Sequence, residues 1–329
     1  MSVLVVIPCL NEAQHLKGLI SSLLTNPEVT KLVVADGGSD DGSQAIVEKL
    51  AEADTRVHLL HNPAKIQSAG INLAVSHFGG GMDWLLRVDA HCLYPPHYPQ
   101  ILMAAAHERE TDAVVVPMLT RGIKGFQLAV AAAQNSVLGT GGSAHRSGRE
   151  GCYVDHGHHA LIRMELFQRV GGYCETMVCN EDAELDHRIT QAGGRIWLEP
   201  KGLIVYMPRK TAATLARQYF KYGKGRADNL KRHRMRPRLR QMIPLVVPIA
   251  LAMVPFSLLH PIFVAPALGW LLVCLVVGAA IGLRAGKGWP ALAGAAAAIM
   301  HAAWAFGFLS GIFFSRNASE PKYGLFSER

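Results

Sequence analysis

The chain has 329 residues, half of them hydrophobic, with a mean hydropathy of +0.18 and a formal net charge of +8. That leaves room for one large domain or two smaller ones, and it is too apolar for an ordinary soluble enzyme. The six cysteines, Cys9, Cys92, Cys152, Cys174, Cys179 and Cys274, show no paired CxxC spacing, which argues against a disulfide framework or a zinc ribbon and fits a reducing cytoplasm.

Residues 3–7 form an unbroken apolar run ended by Pro8, the pattern of a strand buried on both faces. The run lacks the basic flank and the length of a secretory signal, so the N-terminal part is expected to stay on the cytoplasmic side. Asn11 is placed as the cap of a helix whose apolar residues, Leu16, Leu19, Ile20, Leu23 and Leu24, share one helical face. Strands over 32–35, 57–60, 84–88 and 113–117 then alternate with helices over 42–53, 67–77 and 98–109. Alternating units of this length predict an α/β fold with a mainly parallel sheet covered by helices on both faces. Beyond Pro117 the regularity stops. Residues 139–151 are rich in Gly, Ser and Arg and read as a mobile loop over a site. Short helices are predicted over 164–170 and 182–192, each stopped by a Gly-Gly pair.

The C-terminal third changes character. Residues 217–240 hold ten Lys or Arg against a single acid, Asp228, and residues 241–283 contain no Asp, Glu, Lys or Arg over 43 positions. About 20 apolar residues already suffice to span a bilayer, so this is a membrane-embedded tail. The basic run beside it is explained by the positive-inside bias and by anionic lipid rather than by nucleic acid. Three spans are expected, near 242–259, 262–283 and 291–314. Arg284 and Lys287 then return to the cytoplasm and 316–329 lie outside. Pro244, Pro248 and Pro255 leave open a broken or re-entrant first segment, two spans and the opposite sidedness of the tail. The expected divisions are 1–210, a basic juxtamembrane segment 211–240, a transmembrane region 241–315 of about three helices, and a tail 316–329.

Three carboxylates follow one another at strand ends or at a helix start, where open α/β sheets gather polar groups for a ligand. Asp36 lies in Val33-Val34-Ala35-Asp36-Gly37-Gly38-Ser39-Asp40-Asp41, Asp89 in Leu85-Leu86-Arg87-Val88-Asp89-Ala90-His91, and Asp182 in Asn180-Glu181-Asp182-Ala183-Glu184. In order and spacing these motifs resemble the family 2 inverting glycosyltransferases over about the first two thirds of the chain. The overall layout is most similar to the bacterial succinoglycan-biosynthesis glucosyltransferases. The resemblance implies a GT-A, Rossmann-like sheet and a UDP-sugar donor.

By that resemblance Pro8, Glu12 and Asp36 line the base and ribose pocket, the plain alternative for Asp36 being a turn-forming Asp. Family members often carry a second Asp where this chain has Gly37. In Asn62-Pro63-Ala64-Lys65-Ile66-Gln67, Lys65 is the candidate to face the donor phosphates, or else an ordinary exposed lysine at a helix start. Asp89 occupies the place of the DxD motif that holds a divalent cation on the diphosphate. His91, in place of the second acid, either ligates that ion, favouring Mn²⁺ over Mg²⁺, or only hydrogen-bonds the diphosphate.

Asp182 is implied as the general base and Glu181 as an acceptor contact; the rival reading is that they are first-turn acids favoured by the helix dipole. His158, in Asp155-His156-Gly157-His158-His159, is assigned near the acceptor rather than to zinc, because no CxxC or HExxH partner occurs. Arg217 and Lys221 either clamp the acceptor's pyrophosphate or grip lipid headgroups. Their segment, Arg217-Gln218-Tyr219-Phe220-Lys221, replaces the Q-x-x-R-W of processive members, which points to a single transfer.

The expected function is therefore transfer of one sugar, glucose from UDP-glucose, to a polyprenyl-diphosphate-linked saccharide in exopolysaccharide biosynthesis. The place is the bacterial inner (plasma) membrane, with the catalytic domain on the cytoplasmic face, Mn²⁺ or Mg²⁺ as cofactor, and membrane lipids and other polysaccharide-assembly proteins as partners. The alternative is a glycosyltransferase-like, non-catalytic membrane scaffold. A dinucleotide-binding oxidoreductase is disfavoured, since Pro8-Cys9-Leu10-Asn11 carries no Gly-x-Gly-x-x-Gly.

Overall fold

A computed structural model describes residues 1–142, 150–237, 239–286, 288–314, 322–324 and 326. The chain forms two compact units. One comprises Met1–Met118, Gly148–Val205 and Glu320–Arg329, the other Leu119–Ser147 and Tyr206–Ser319.

The first unit is built on strands β1 (Val3–Cys9), β2 (Val29–Asp36), β3 (Val57–His61), β4 (Trp84–Arg87) and β5 (Ala113–Val116). After the short β6 (Met118–Thr120) come β7 (Cys152–Val154), β8 (His158–Arg163) and β9 (Ile196–Leu198), while β10 (Ile204–Tyr206) pairs with β6 in a separate two-stranded sheet. The other eight strands form one sheet in the order β3-β2-β1-β4-β8-β5-β9-β7. Pairs β1–β2, β2–β3, β1–β4 and β5–β9 are parallel, as the βα alternation predicts. Pairs β4–β8, β5–β8 and β7–β9 are antiparallel, so the sheet, parallel in the majority of its pairs, is mixed on this side. The change comes after Pro117, where β8 runs back between β4 and β5. Its first residue, His158, is thereby brought to the end of the sheet where β4 and β5 finish.

Helices α1 (Ala13–Leu24), α2 (Ser43–Ala53), α3 (Gln67–Phe78) and α4 (Tyr98–Glu108) connect the first strands. Their apolar faces are buried: Leu16, Ile20 and Leu23 on α1, and Ile71, Ala74 and Val75 on α3. Fully burying a Leu, Ile or Phe side chain contributes roughly 1.5–3 kcal/mol, and the cluster that includes Leu4, Val6, Val33, Ile71, Phe167 and Leu185 carries this unit. Asn11 is not the cap of α1. The cap position is Glu12, the Ala13 N–H is taken by Asp41 Oδ2 at 2.9 Å, and Asn11 Oδ1 accepts from Asp40 N instead. Asn11 itself takes a left-handed backbone, φ 59°, which suits a turn residue better than a cap.

In the second unit, α5 (Phe126–Gln134) and α6 (Val137–Thr140) precede α9 (Ala212–Arg232), α10 (Leu239–Met242), α11 (Val246–Met253), α12 (Ala265–Ala285) and α13 (Ala293–Phe314). Helices α7 (Met164–Arg169) and α8 (Glu181–Gln191) belong to the first unit. Alanines of α5 pack with Leu215 of α9 and with Ala293, Ala296, Ala297 and Met300 of α13. Two helices, Pro261–Ala285 and Trp289–Phe314, are long and apolar enough to cross a membrane. The first of the three expected spans is instead a short apolar segment, Ile243–Leu258, in which α11 is flanked by 3₁₀ turns at Ile243–Leu245 and Val254–Leu258. Pro244, Pro248 and Pro255 supply the physical reason, since each removes a helical N–H and crowds the preceding turn. Of the expected mobile loop over 139–151, residues 143–149 lie outside the described residues, as do Lys287 and most of the expected tail.

Candidate active site

The first carboxylate closes a turn. Asp36 ends β2 and is buried. Its Oδ2 accepts from Gly38 N (2.8 Å), Ser39 N (3.0 Å) and Gln44 Nε2 (2.6 Å), and its Oδ1 from Ser39 Oγ (2.5 Å). Burial alone would raise its pKa, but the bonds from Ser39, Gln44 and Gly38 prevail and hold it below the usual carboxylate value. A carboxylate has about four acceptor positions, and most are used to shape the Gly37-Gly38-Ser39 turn. Pro8, half-buried on β1, pairs with Ala35 beside it. Lys65 is exposed with φ 56° and follows the sheet edge so that a Cβ on Gly38 would lie 3.7 Å from its Nζ. A Cβ on Gly37 would meet nothing nearer than 3.5 Å, so the missing second acid leaves room rather than a steric demand.

The other acids converge on Arg87. This guanidinium is 4 % exposed. Its Nη1 meets Asp182 Oδ1 at 2.5 Å, its Nε meets Asp89 Oδ1 at 3.3 Å and its Nη2 meets Glu181 Oε1 at 3.5 Å. Burial opposes its charge, yet Asp182 and Asp89 more than offset this and push its pKa well above the ordinary range. Burial, followed by the neighbouring Asp182, pushes the Glu181 carboxyl up. Burial also acts against the charge of Asp89, but Arg87 and His158 hold that carboxyl below its ordinary value. Three carboxylates thus share one guanidinium, an arrangement that a further cation would balance.

The members come from several elements. The Asp89 peptide, just past β4, is gripped by Tyr94, whose hydroxyl accepts from Asp89 N at 2.7 Å and donates to Asp89 O at 3.0 Å. Glu181 and Asp182 open α8 after Asn180 in a left-handed conformation. The third first-turn acid, Glu184, is fully buried in an ion pair with Arg188 at 2.6 Å and is structural. His158 at the start of β8 stands between the two aspartates, Nε2 at 3.5 Å from Asp89 Oδ2 and Nδ1 at 3.5 Å from Asp182 Oδ2. His156 faces away, to Asp186 at 2.6 Å. His91 Nδ1 is bonded to Glu12 Oε1 at 2.9 Å, linking the two motifs. Arg217 and Lys221 are exposed on α9, in the other unit.

Among the residues of the cluster not singled out in the sequence are Arg87, and Tyr173, whose hydroxyl donates to Asp182 Oδ1 at 3.0 Å. The signal for Arg87 was present, a charged residue ending the buried run Trp84-Leu85-Leu86. For Tyr173 there was none, because the bonds that hold it, Asn72 Nδ2 to its carbonyl (2.8 Å) and its N–H to Asn72 Oδ1 (2.9 Å), join positions 101 residues apart. None of the six cysteines is in a disulfide, and burial raises the Cys92 thiol to about 12, which leaves it inert beside Asp89.

Residues 4–171 match the profile of Glycosyl transferase family 2. The succinoglycan biosynthesis protein ExoA of Rhizobium meliloti is 48% identical over 310 residues, which cover 93% of this chain and 94% of that protein. A pre-mycofactocin glycosyltransferase of Mycobacterium tuberculosis is 27% identical over 70% of this chain and 48% of its own length. Among solved structures, the mannosyltransferase PcManGT from Pyrobaculum calidifontis, in complex with GDP-Man and Mn²⁺, aligns with a TM-score of 0.59 at 17% identity, over 95% of this chain and 88% of that one. An α/β sheet with acids gathered at its strand ends, matched in this way, is a GT-A glycosyltransferase. The chain belongs to glycosyl transferase family 2.

Proposed function

We propose that this chain is a membrane-attached inverting glycosyltransferase that moves a single sugar, glucose from UDP-glucose, onto a polyprenyl-diphosphate-linked saccharide in succinoglycan-type exopolysaccharide biosynthesis. The observation that carries the reading is the convergence of Asp89, Glu181 and Asp182 on the buried Arg87. The likeness to the Rhizobium meliloti protein along nearly the whole chain supports the pathway class.

Asp182 is the general base. Its Oδ1 is occupied by Arg87 and Tyr173, so the proton of the acceptor hydroxyl goes to Oδ2, the oxygen facing His158. The freed oxygen attacks the anomeric carbon as the bond to the UDP oxygen breaks, in one displacement with inversion and no covalent intermediate. Arg87 fixes the base in one orientation, and Glu181 beside it is placed for the acceptor. Pro8, Glu12 and the Asp36 turn line the uridine pocket, with Lys65 toward the phosphates.

The donor set fits a divalent cation. It offers the oxygen of Asp89, an imidazole from His91 or His158, and excess negative charge around Arg87. Among the described residues no group of three or more His, Cys, Asp or Glu side chains is arranged to hold a metal ion, so Asp89 with one imidazole would hold it only together with ligands from outside the chain. Such an ion supplies charge compensation to the departing diphosphate.

Helices α12 and α13 are the proposed anchor. The basic α9 beside them in sequence is read as lying at the headgroup level of the cytoplasmic leaflet, with Arg217 and Lys221 serving the acceptor's pyrophosphate. The test is a panel of UDP-sugars offered with short lipid-linked acceptors to the full-length protein in detergent. Transfer of one glucose with inversion is expected; failure to release UDP from any donor would favour the non-catalytic scaffold.

A further inference from the structure

Beyond the last apolar helix, the described residues Lys322, Tyr323, Gly324 and Phe326 lie on the catalytic unit. Two backbone bonds fasten them: Glu175 N donates to Lys322 O at 2.7 Å, and Gly324 N to Gly171 O at 2.9 Å. The Phe326 ring packs on Phe167, 5.8 Å between centroids, and joins the core beneath the sheet. It presses against Gly172, φ 67°, where a Cβ would come within 2.8 Å of the ring. The Tyr323 ring lies over the Arg188 guanidinium at 4.5 Å. Lys322 Nζ is 3.3 Å from Glu175 Oε2.

The contacts to Gly171, Gly172 and Glu175 fall on the short segment that contains Tyr173, while Phe167 and Arg188 lie on the helices to either side of it. Gly171, Gly172 and Glu175 flank it, and Glu175 Oε1 accepts from Asn72 Nδ2 at 3.1 Å, the same amide that brackets the Tyr173 peptide. Tyr173 in turn donates to Asp182 and meets Arg87 at 3.3 Å. The path from Phe326 to the carboxylate therefore runs through packed or hydrogen-bonded groups at every step.

We infer that these C-terminal residues are a strap that positions Tyr173 and, through its hydroxyl, the Asp182 carboxylate, with Phe326 and Tyr323 as positioning residues for transfer. The inference rests on the reading of Asp182 as the base. A strap seated on the catalytic unit puts its residues on the active-site side of the bilayer, so the chain between the two crosses an even number of times. Helices α12 and α13 both cross, and the Ile243–Leu258 segment does not.

The test is the double variant Phe326→Ala/Tyr323→Ala in the full chain, beside Phe326→Leu, Tyr173→Phe, their combinations and Asp182→Asn. The strap predicts that the double variant lowers kcat about tenfold to a hundredfold, the range a misplaced group costs, with donor KM within about twofold. Phe326→Leu restores most of the rate, and in a Tyr173→Phe background the strap substitutions add no further loss. Independent, additive losses, or an unchanged kcat while Asp182→Asn abolishes turnover, overturn the strap alone. Full turnover by Asp182→Asn removes the base assignment instead.

Sidedness is read without any core substitution, from alkaline phosphatase or green fluorescent protein fused behind Arg329 in cells. Fluorescence with an inactive phosphatase agrees with the strap. An active phosphatase on a chain that still transfers sugar contradicts it.

Discussion

Two carboxylate sites in the same sheet are built on opposite plans. Asp36 is satisfied by its own neighbourhood: all four of its bonds come from residues within eight positions. The Arg87 cluster is assembled from β4, the turn after it, β8, the segment before α8 and α8 itself, with partners up to 95 residues apart in sequence. The first plan makes a preformed turn, to which the proposed function gives the donor's base. The second gathers several carboxylates in a partly buried place, where Arg87 and His158 favour the charged form of Asp89 while burial and Asp182 disfavour that of Glu181, the kind of perturbed environment that proton-transfer sites use. What separates shape from chemistry here is thus who satisfies the carboxylate.

The largest effect is expected from Arg87→Met. If the cluster depends on one shared cation, its removal leaves three partly buried carboxylates without their common partner and should cost up to about 3–5 kcal/mol of stability, read as a lower denaturation midpoint. Arg87→Lys should keep the fold but lose the fork that meets Asp182 and Asp89 together, with transfer falling more than donor affinity. A loss of less than about 1 kcal/mol in Arg87→Met would show that the carboxylates are satisfied by other means.

A smaller effect is expected at the local site. Asp36→Asn turns an amide NH₂ toward donors from Gly38, Ser39 and Gln44, costing about 1–3 kcal/mol and weakening donor binding more than kcat. Equal damage to kcat and KM would erase the proposed division between the sites. The smallest effect belongs to Gly37→Ala. The position has ordinary van der Waals room and no positive φ, so stability should move by no more than about 0.5 kcal/mol. Chelation sharpens the cluster side. EDTA should abolish transfer and Mn²⁺ restore it at least as well as Mg²⁺, whereas full activity in chelator would remove the ion from the mechanism.

Much of the sheet was legible, because β1, β2, β4 and β5 are apolar runs and the helices between them keep a one-faced period. The order Asp36, Asp89, Asp182 was legible too, since each lies at an element boundary. The antiparallel return of β8 was not: nothing in His158–Arg163 marks its direction, which is set by pairing with β4 and β5. Nor was the central place of Arg87 evident, because an arginine at a strand end acquires meaning only from acids that arrive later in the chain. Hydropathy read the segment before α12 as a span, whereas backbone chemistry at its prolines breaks it into short turns. His158 was read as acceptor-proximal from its motif alone, and the fold sets it between Asp89 and Asp182.

Asp182→Asn is an isosteric change that keeps the Arg87 and Tyr173 contacts to one oxygen while removing the proton acceptor. Transfer from UDP-glucose to a lipid-linked acceptor and equilibrium binding of UDP should be measured on the same preparation. The prediction is a fall in turnover of about 10² to 10⁴ with UDP affinity unchanged. Undiminished turnover by a variant that binds UDP normally would contradict the assignment of the Arg87 cluster as the site of transfer.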